Sequence, residues 1–145
     1  LADLSLAEAV LALKAGQVIA YPTEAVYGLG CDPFNASAVE TLWRLKQRPP
    51  SMGLIVVAGE WQALTPFMAD LSAEQTARLR AEWPAPFTWV VPASECVPAW
   101  LTGGGDTVAL RWSAHPDVVA LCSAFGGALV STSANLHGHA PARSA

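Results

Sequence analysis

Gly53-Leu-Ile-Val-Val-Ala58 is an uninterrupted apolar run, and its centre is β-branched. Such a run reads as a strand buried on both faces, the habit of strands inside an α/β layer fold. The segments around it support that reading. Upstream, residues 36–46 carry Ser37 and Glu40 near their start and Val39, Leu42 and Trp43 at helical spacing. They predict a helix that Pro49-Pro50 prevents from continuing. Downstream, Ser72-x-x-Gln75 has the form of a helix-opening capping box. The helix it starts must end before Trp83-Pro-Ala-Pro86.

The same alternation extends to both ends. Ser5-x-x-Glu8 opens a first helix with Leu6, Val10 and Leu13 on one face, and Gly16 is a fitting stop. Residues 17–21 read as a short strand ended by Pro22, followed by a loop at Gly28 and Gly30. Further strands are expected at residues 87–91, 107–112 and 128–131. A helix with Pro116 in its first turn runs to Phe125 and stops at Gly126-Gly127. No repeat or linker interrupts this order. The expectation is an α/β fold, a twisted mixed sheet with flanking helices, with residues 1–145 forming a single domain.

Composition excludes several classes. Apolar residues make up 52% of the chain and charged residues 14%, a ratio that excludes disorder. No apolar run approaches the roughly 20 residues of a membrane-spanning helix. The N-terminal stretch lacks a basic n-region, so it reads as an amphipathic helix and not as a signal peptide. Cys31, Cys96 and Cys122 are odd in number and widely spaced. They suit reduced thiols in a cytoplasmic protein better than a disulfide framework or a zinc site. Neither they nor His115, His137 and His139 have metal-ligand spacing. The formal net charge of −4 argues against a chain-wide basic surface for nucleic acid. Arg44, Lys46 and Arg48 nevertheless cluster, and a local basic pocket on an acidic protein suits a small anion.

Several features could carry chemistry, each beside a plainer role. Lys46 and Arg48 could complement the dipole of the helix they close, or clamp a phosphate or carboxylate. Ser131-Thr-Ser-Ala-Asn135 offers hydroxyls and an amide after a strand, either as an ordinary turn or as an anion cradle. Tyr21-Pro-Thr-Glu-Ala-Val-Tyr-Gly-Leu-Gly30 lacks the lysine of a phosphate loop. It is either a structural crossover or a ligand approach. Arg111 lies in an apolar strand and needs a partner, which could be Asp106, Asp117 or a ligand. The six tryptophans fit core packing by default.

Taken in order, these stretches resemble the YrdC/Sua5 family of threonylcarbamoyl-adenylate synthases. The matching segments are Ala20 to Gly30, Leu45-Lys-Gln-Arg-Pro49, Gly53 to Val56, Trp83-Pro-Ala-Pro-Phe-Thr88, Thr107-Val-Ala-Leu-Arg111 and Leu129 to Asn135. The chain departs from the family pattern at Ala25, where many members have a second threonine, and at Ala85, where glycine is usual. It also stops short of the family's C-terminal segment.

The resemblance implies a concave cleft on the sheet and synthesis of threonylcarbamoyl-AMP from L-threonine, bicarbonate and ATP. The product would serve modification of adenosine 37 of tRNA through a downstream threonylcarbamoyl-transferase complex. By the same resemblance, Lys46 and Arg48 would be catalytic and hold ATP phosphates. Thr107, Ser133 and Asn135 would complete the nucleotide site. Thr23, Arg111 and Ser131 would hold threonine or its carbamate. Mg²⁺ would be bound through the phosphates, with no protein metal site. The alternative implied function is an RNA-binding, ribosome-maturation module using the same cleft for tRNA or double-stranded RNA.

Overall fold

The computed structural model describes residues 5–22, 27–47, 54–82 and 88–133, with Pro22, Tyr27 and Ser133 through their backbone. Six strands form one sheet: β1 (Ile19–Pro22), β2 (Tyr27–Cys31), β3 (Ile55–Ala58), β4 (Trp89–Pro92), β5 (Thr107–Trp112) and β6 (Leu129–Ser133). Their spatial order is β1-β2-β6-β3-β5-β4. Only β3 and β5 run parallel; the other neighbours are antiparallel. The apolar run that reads as a doubly buried strand is therefore central, between β6 and β5. The sheet is mixed, as expected.

The helices are α1 (Leu6–Lys14), α2 (Ala36–Lys46), α3 (Trp61–Leu64, extended by a 3-10 turn at Thr65–Phe67), α4 (Ala73–Glu82), α5 (Ala99–Thr102) and α6 (Pro116–Phe125). Their ends follow local chemistry. In α1 the Glu8 amide donates to Ser5 Oγ and the Ser5 amide to Glu8 Oε1, each at 3.2 Å. Ser72 and Gln75 make the same reciprocal pair at the start of α4, at 2.9 and 3.1 Å. Asn35 caps α2 by accepting from the Ala38 amide at 3.0 Å. α2 ends at Gln47, which takes a left-handed φ of 52°, ahead of the proline pair. His115 caps α6 through Nδ1, which accepts from the Asp117 amide at 3.2 Å. The short helices α3 and α5 have too few residues for a periodic pattern, so the sequence does not announce them.

One expectation is corrected. Gly28 and Gly30 do not form a loop: they lie in β2, paired with β1 on one side and β6 on the other. Gly30 serves packing, not a turn. A Cβ on Gly30 would come 2.6 Å from Cε1 of Tyr21 and 2.9 Å from the carbonyl oxygen of Val130.

Side-chain alternation divides the core between the two faces. On one face Val56, Leu110 and Val130 pack against Val39 and Leu42 of α2, with Leu64, Leu79 and Leu101 from the later helices. On the other, Ile19, Tyr21, Val57 and Leu129 pack against Leu13 of α1 and Val118 and Leu121 of α6. α6 lies close over the end of β3, where a Cβ on Gly59 would meet Val119 Cα at 2.7 Å. On this second face the outer strand β4 is left open, with Val90 65% exposed.

Candidate active site

The register brings three polar side chains to the α1/α6 face. Ser131 on β6 pairs with Gly30 on β2 and Ile55 on β3. Arg111 on β5 pairs with Val57 on β3. Val57 and Leu129 belong to the α1/α6 core, whereas Val130 and Leu110 belong to the opposite one. Ser131 and Arg111 therefore project to the same side as Tyr21. Residues far apart in sequence meet there because β6 inserts between β2 and β3.

Arg111 is half-buried, and its partner is neither Asp106 nor Asp117. Nε and Nη2 of Arg111 both donate to Thr88 Oγ1, at 3.3 and 3.1 Å. Thr88 stands just before β4, where the antiparallel register continues to bring it opposite Arg111. Among the described residues, this hydroxyl is the hydrogen-bond partner of the guanidinium, and no carboxylate pairs with it. A hydroxyl satisfies donors without cancelling charge. Among the described residues, the outer Nη1/Nη2 edge of Arg111 is thus left to face an anion.

Tyr21 completes the cluster. Its ring crosses Gly30, and its hydroxyl is buried without a hydrogen-bond partner of good geometry among the described residues. Loss of water raises the phenol's pKa well above its usual value. The neighbouring Ser131 hydroxyl opposes that rise, and so, more weakly, does the Arg111 charge. A buried hydroxyl beside a serine and an arginine is a donor suited to a ligand oxygen.

The remaining expected site residues fall elsewhere or outside the description. Thr107 opens β5 opposite Pro92, on the same face as Arg111 by alternation and exposed. It lies four positions before Arg111 along the strand, a span of about 13 Å. Lys46 closes α2 and is only 2% exposed. Its helix packs on the opposite face through Ala38, Val39 and Leu42. The backbone of Ser133 pairs with Gly28, one alternation beyond Ser131. Thr23, Arg48 and Asn135 lie outside the described residues.

Sequence reasoning on the residues missed Tyr21 and Thr88 as members of the cluster. The glycine at position 30 was the available signal for Tyr21, because a glycine within a strand marks a close approach. Nothing local announces Thr88, whose role follows from strand pairing.

The other sequence features have structural roles. The Trp61 and Trp112 rings meet with centroids 6.0 Å apart, and Trp100 Nε1 donates to the Pro33 carbonyl at 2.8 Å. The buried thiols of Cys31 and Cys122 are each pushed up to about 12, chiefly by loss of water. Among the described residues, no group of three or more His, Cys, Asp or Glu side chains could hold a metal ion. No described helix is long and apolar enough to cross a membrane.

An open mixed sheet with helices on both faces, carrying an arginine with no carboxylate partner among the described residues beside the Ser131 and Tyr21 hydroxyls, is that of an α/β enzyme domain. The Sua5/YciO/YrdC family model, described as "Telomere recombination", matches residues 11–145, and the chain belongs to this family. A Threonylcarbamoyl-AMP synthase of Halorhodospira halophila is 58% identical over 132 residues, covering 91% of this chain and 69% of the relative. A protein of the same name from Alkalilimnicola ehrlichii is 56% identical over 133 residues, covering 92% and 69%. Among solved structures, P. abyssi Sua5 complexed with L-threonine superposes with a TM-score of 0.86 at 31% identity. The match covers 97% of this chain and 42% of that one, so the chain spans about two fifths of that protein's length.

Proposed function

We infer that this chain is a threonylcarbamoyl-AMP synthase, an enzyme joining L-threonine, bicarbonate and ATP. The observation that carries the reading is the Arg111–Ser131–Tyr21 cluster, in which a cation with no carboxylate partner among the described residues shares a face with the half-buried Ser131 and buried Tyr21 hydroxyls. It occurs in a chain 58% identical to a protein of that name. Residues 1–145 act as one YrdC-like domain.

The chemistry needs such a site. The neutral threonine amine attacks the bicarbonate carbon, water leaves, and a carbamate forms. A carbamate oxygen then attacks the α-phosphorus of ATP in line, and pyrophosphate departs. Both partners of the second step are anions, so positive charge must bring them together. Catalysis rests on positioning and electrostatics without a protein nucleophile. In this reading Arg111 and Ser131 hold the threonine carboxylate or the carbamate, and Thr23 lines that end. Lys46 and Arg48 hold the ATP phosphates and stabilise charge during transfer. Thr107, Ser133 and Asn135 bind the nucleotide. Mg²⁺ enters with the phosphates. The product passes in the cytoplasm to a threonylcarbamoyl-transferase complex acting on tRNA.

The test is formation of threonylcarbamoyl-AMP from labelled bicarbonate, with ATP and threonine titrations of the wild type, Lys46→Ala and Arg48→Ala. Loss of nucleotide binding in both variants is expected. Unchanged nucleotide binding would remove Lys46 and Arg48 from the phosphate site. Tight, salt-sensitive RNA binding without ATP binding would favour the RNA-module alternative.

A further inference from the structure

We propose that Thr88 is a positioning residue that aims Arg111 at the substrate carboxylate and keeps its charge available. The inference rests on the threonine-binding reading of Arg111 given above.

A guanidinium has two edges that match a carboxylate: the Nε/Nη2 side and the Nη1/Nη2 end. Thr88 Oγ1 occupies the first, accepting from Nε at 3.3 Å and from Nη2 at 3.1 Å. Two contacts to one atom fix the rotation of the guanidinium plane as well as its position. The end-on edge is the one left to pair with two ligand oxygens.

The chemical nature of the acceptor matters as much as its place. An aspartate at position 88 would hold the same edge more strongly, but it would neutralise the cation. An apolar residue would leave the guanidinium in one of several rotamers and without a partner. A neutral hydroxyl orients the group and leaves its charge whole. The backbone favours this arrangement, because β4 and β5 are antiparallel neighbours with Trp89 opposite Leu110. That register sets Thr88 across from Arg111 at the β4 end of the α1/α6 face, where Val90 is exposed.

The experiment is calorimetric titration of the whole chain with L-threonine and, separately, with ATP. Steady-state kinetics of threonylcarbamoyl-AMP formation accompany it. Wild type is compared with Thr88→Ser, Thr88→Val and Thr88→Asp. Thr88→Val should weaken threonine binding about tenfold or more, the usual loss when a contact to a charged group goes. ATP affinity should stay within about twofold. The KM for threonine should rise more than kcat falls. Thr88→Ser should restore most of the affinity, since it keeps the acceptor. Thr88→Asp, which keeps an acceptor and so the local fold, should lose threonine binding while retaining ATP binding.

Threonine affinity equal to wild type in Thr88→Val, or in Thr88→Asp if the valine variant does not fold, overturns the proposal. An equal loss of threonine and ATP affinity also overturns it, because that would indicate a general structural role. If the wild type itself binds no threonine, the functional reading fails, and the role of Thr88 fails with it.

Discussion

The ring of Tyr21 on β1 lies across Gly30 on β2, so close that a Cβ at position 30 would stand 2.6 Å from Tyr21 Cε1. The φ of Gly30 is not positive, so the demand for glycine here is steric and not conformational. By crossing Gly30, the tyrosine extends from the outer strand β1 toward Ser131 on β6.

Gly30→Ala should therefore destabilise the protein by about 1–3 kcal/mol, the range for overpacking. Urea unfolding monitored by circular dichroism measures it. Combining Gly30→Ala with Tyr21→Ala should not restore wild-type stability. The Val130 carbonyl, 2.9 Å from the added Cβ, belongs to the backbone and cannot turn aside. Full recovery in the double variant would show that the tyrosine ring alone sets the constraint.

Tyr21→Phe removes a buried hydroxyl that has no partner of good geometry among the described residues. Its removal should leave the stability of the unliganded protein unchanged or raise it by up to about 1 kcal/mol. Affinity for L-threonine should fall, because the hydroxyl then has no part in ligand binding. Thermal unfolding with and without threonine separates the two effects: the ligand-induced rise in Tm should shrink in the variant.

Arg111→Lys keeps the charge but loses the fork that spans Thr88 and a carboxylate. Threonine affinity should drop about tenfold or more, with ATP affinity little changed. Paired calorimetric titrations check this. Wild-type threonine affinity in Arg111→Lys would show that charge alone suffices at this position.

Stability should fall at alkaline pH. Cys31 and Cys122 have folded-state values raised from 9.0 to about 12. Between those limits the unfolded chain releases thiol protons that the folded chain retains, so rising pH favours unfolding. The contribution is whole below about pH 9 and is lost as pH climbs toward 12. It amounts to about 1 kcal/mol per pH unit for each thiol. Urea midpoints measured from pH 8 to 11 should decline, and Cys31→Ala/Cys122→Ala should flatten the decline. Exposed Cys96 should be the thiol among the three that a disulfide reagent reaches in the native state at neutral pH.

Much of the architecture is written locally. Ser5 and Glu8, Ser72 and Gln75, and Pro116 mark helix starts by chemistry confined to one turn, and the structure places helices there. The unbroken apolarity of residues 53–58 predicts a strand covered on both sides, and β3 is central. The exceptions have physical causes. Gly28 and Gly30 read as a loop because glycine is poor in strands, yet they lie in β2, where the Tyr21 ring needs the space at Gly30. α3 and α5 escape notice because a helix of four residues shows no periodicity.

The site divides along the same line. By itself, the sequence determined that the chain is an α/β protein with an arginine inside an apolar strand that needs a partner. It also determined, through ordered motifs, which family it resembles. Only the tertiary structure decided what that partner is and which residues meet it. Strand order places β6 between β2 and β3, and β5 between β3 and β4. This brings Tyr21, Ser131 and Arg111 to one face and sets Thr88 against Arg111. Such neighbours are fixed by hydrogen-bond register between strands distant in sequence, and no local pattern encodes that pairing.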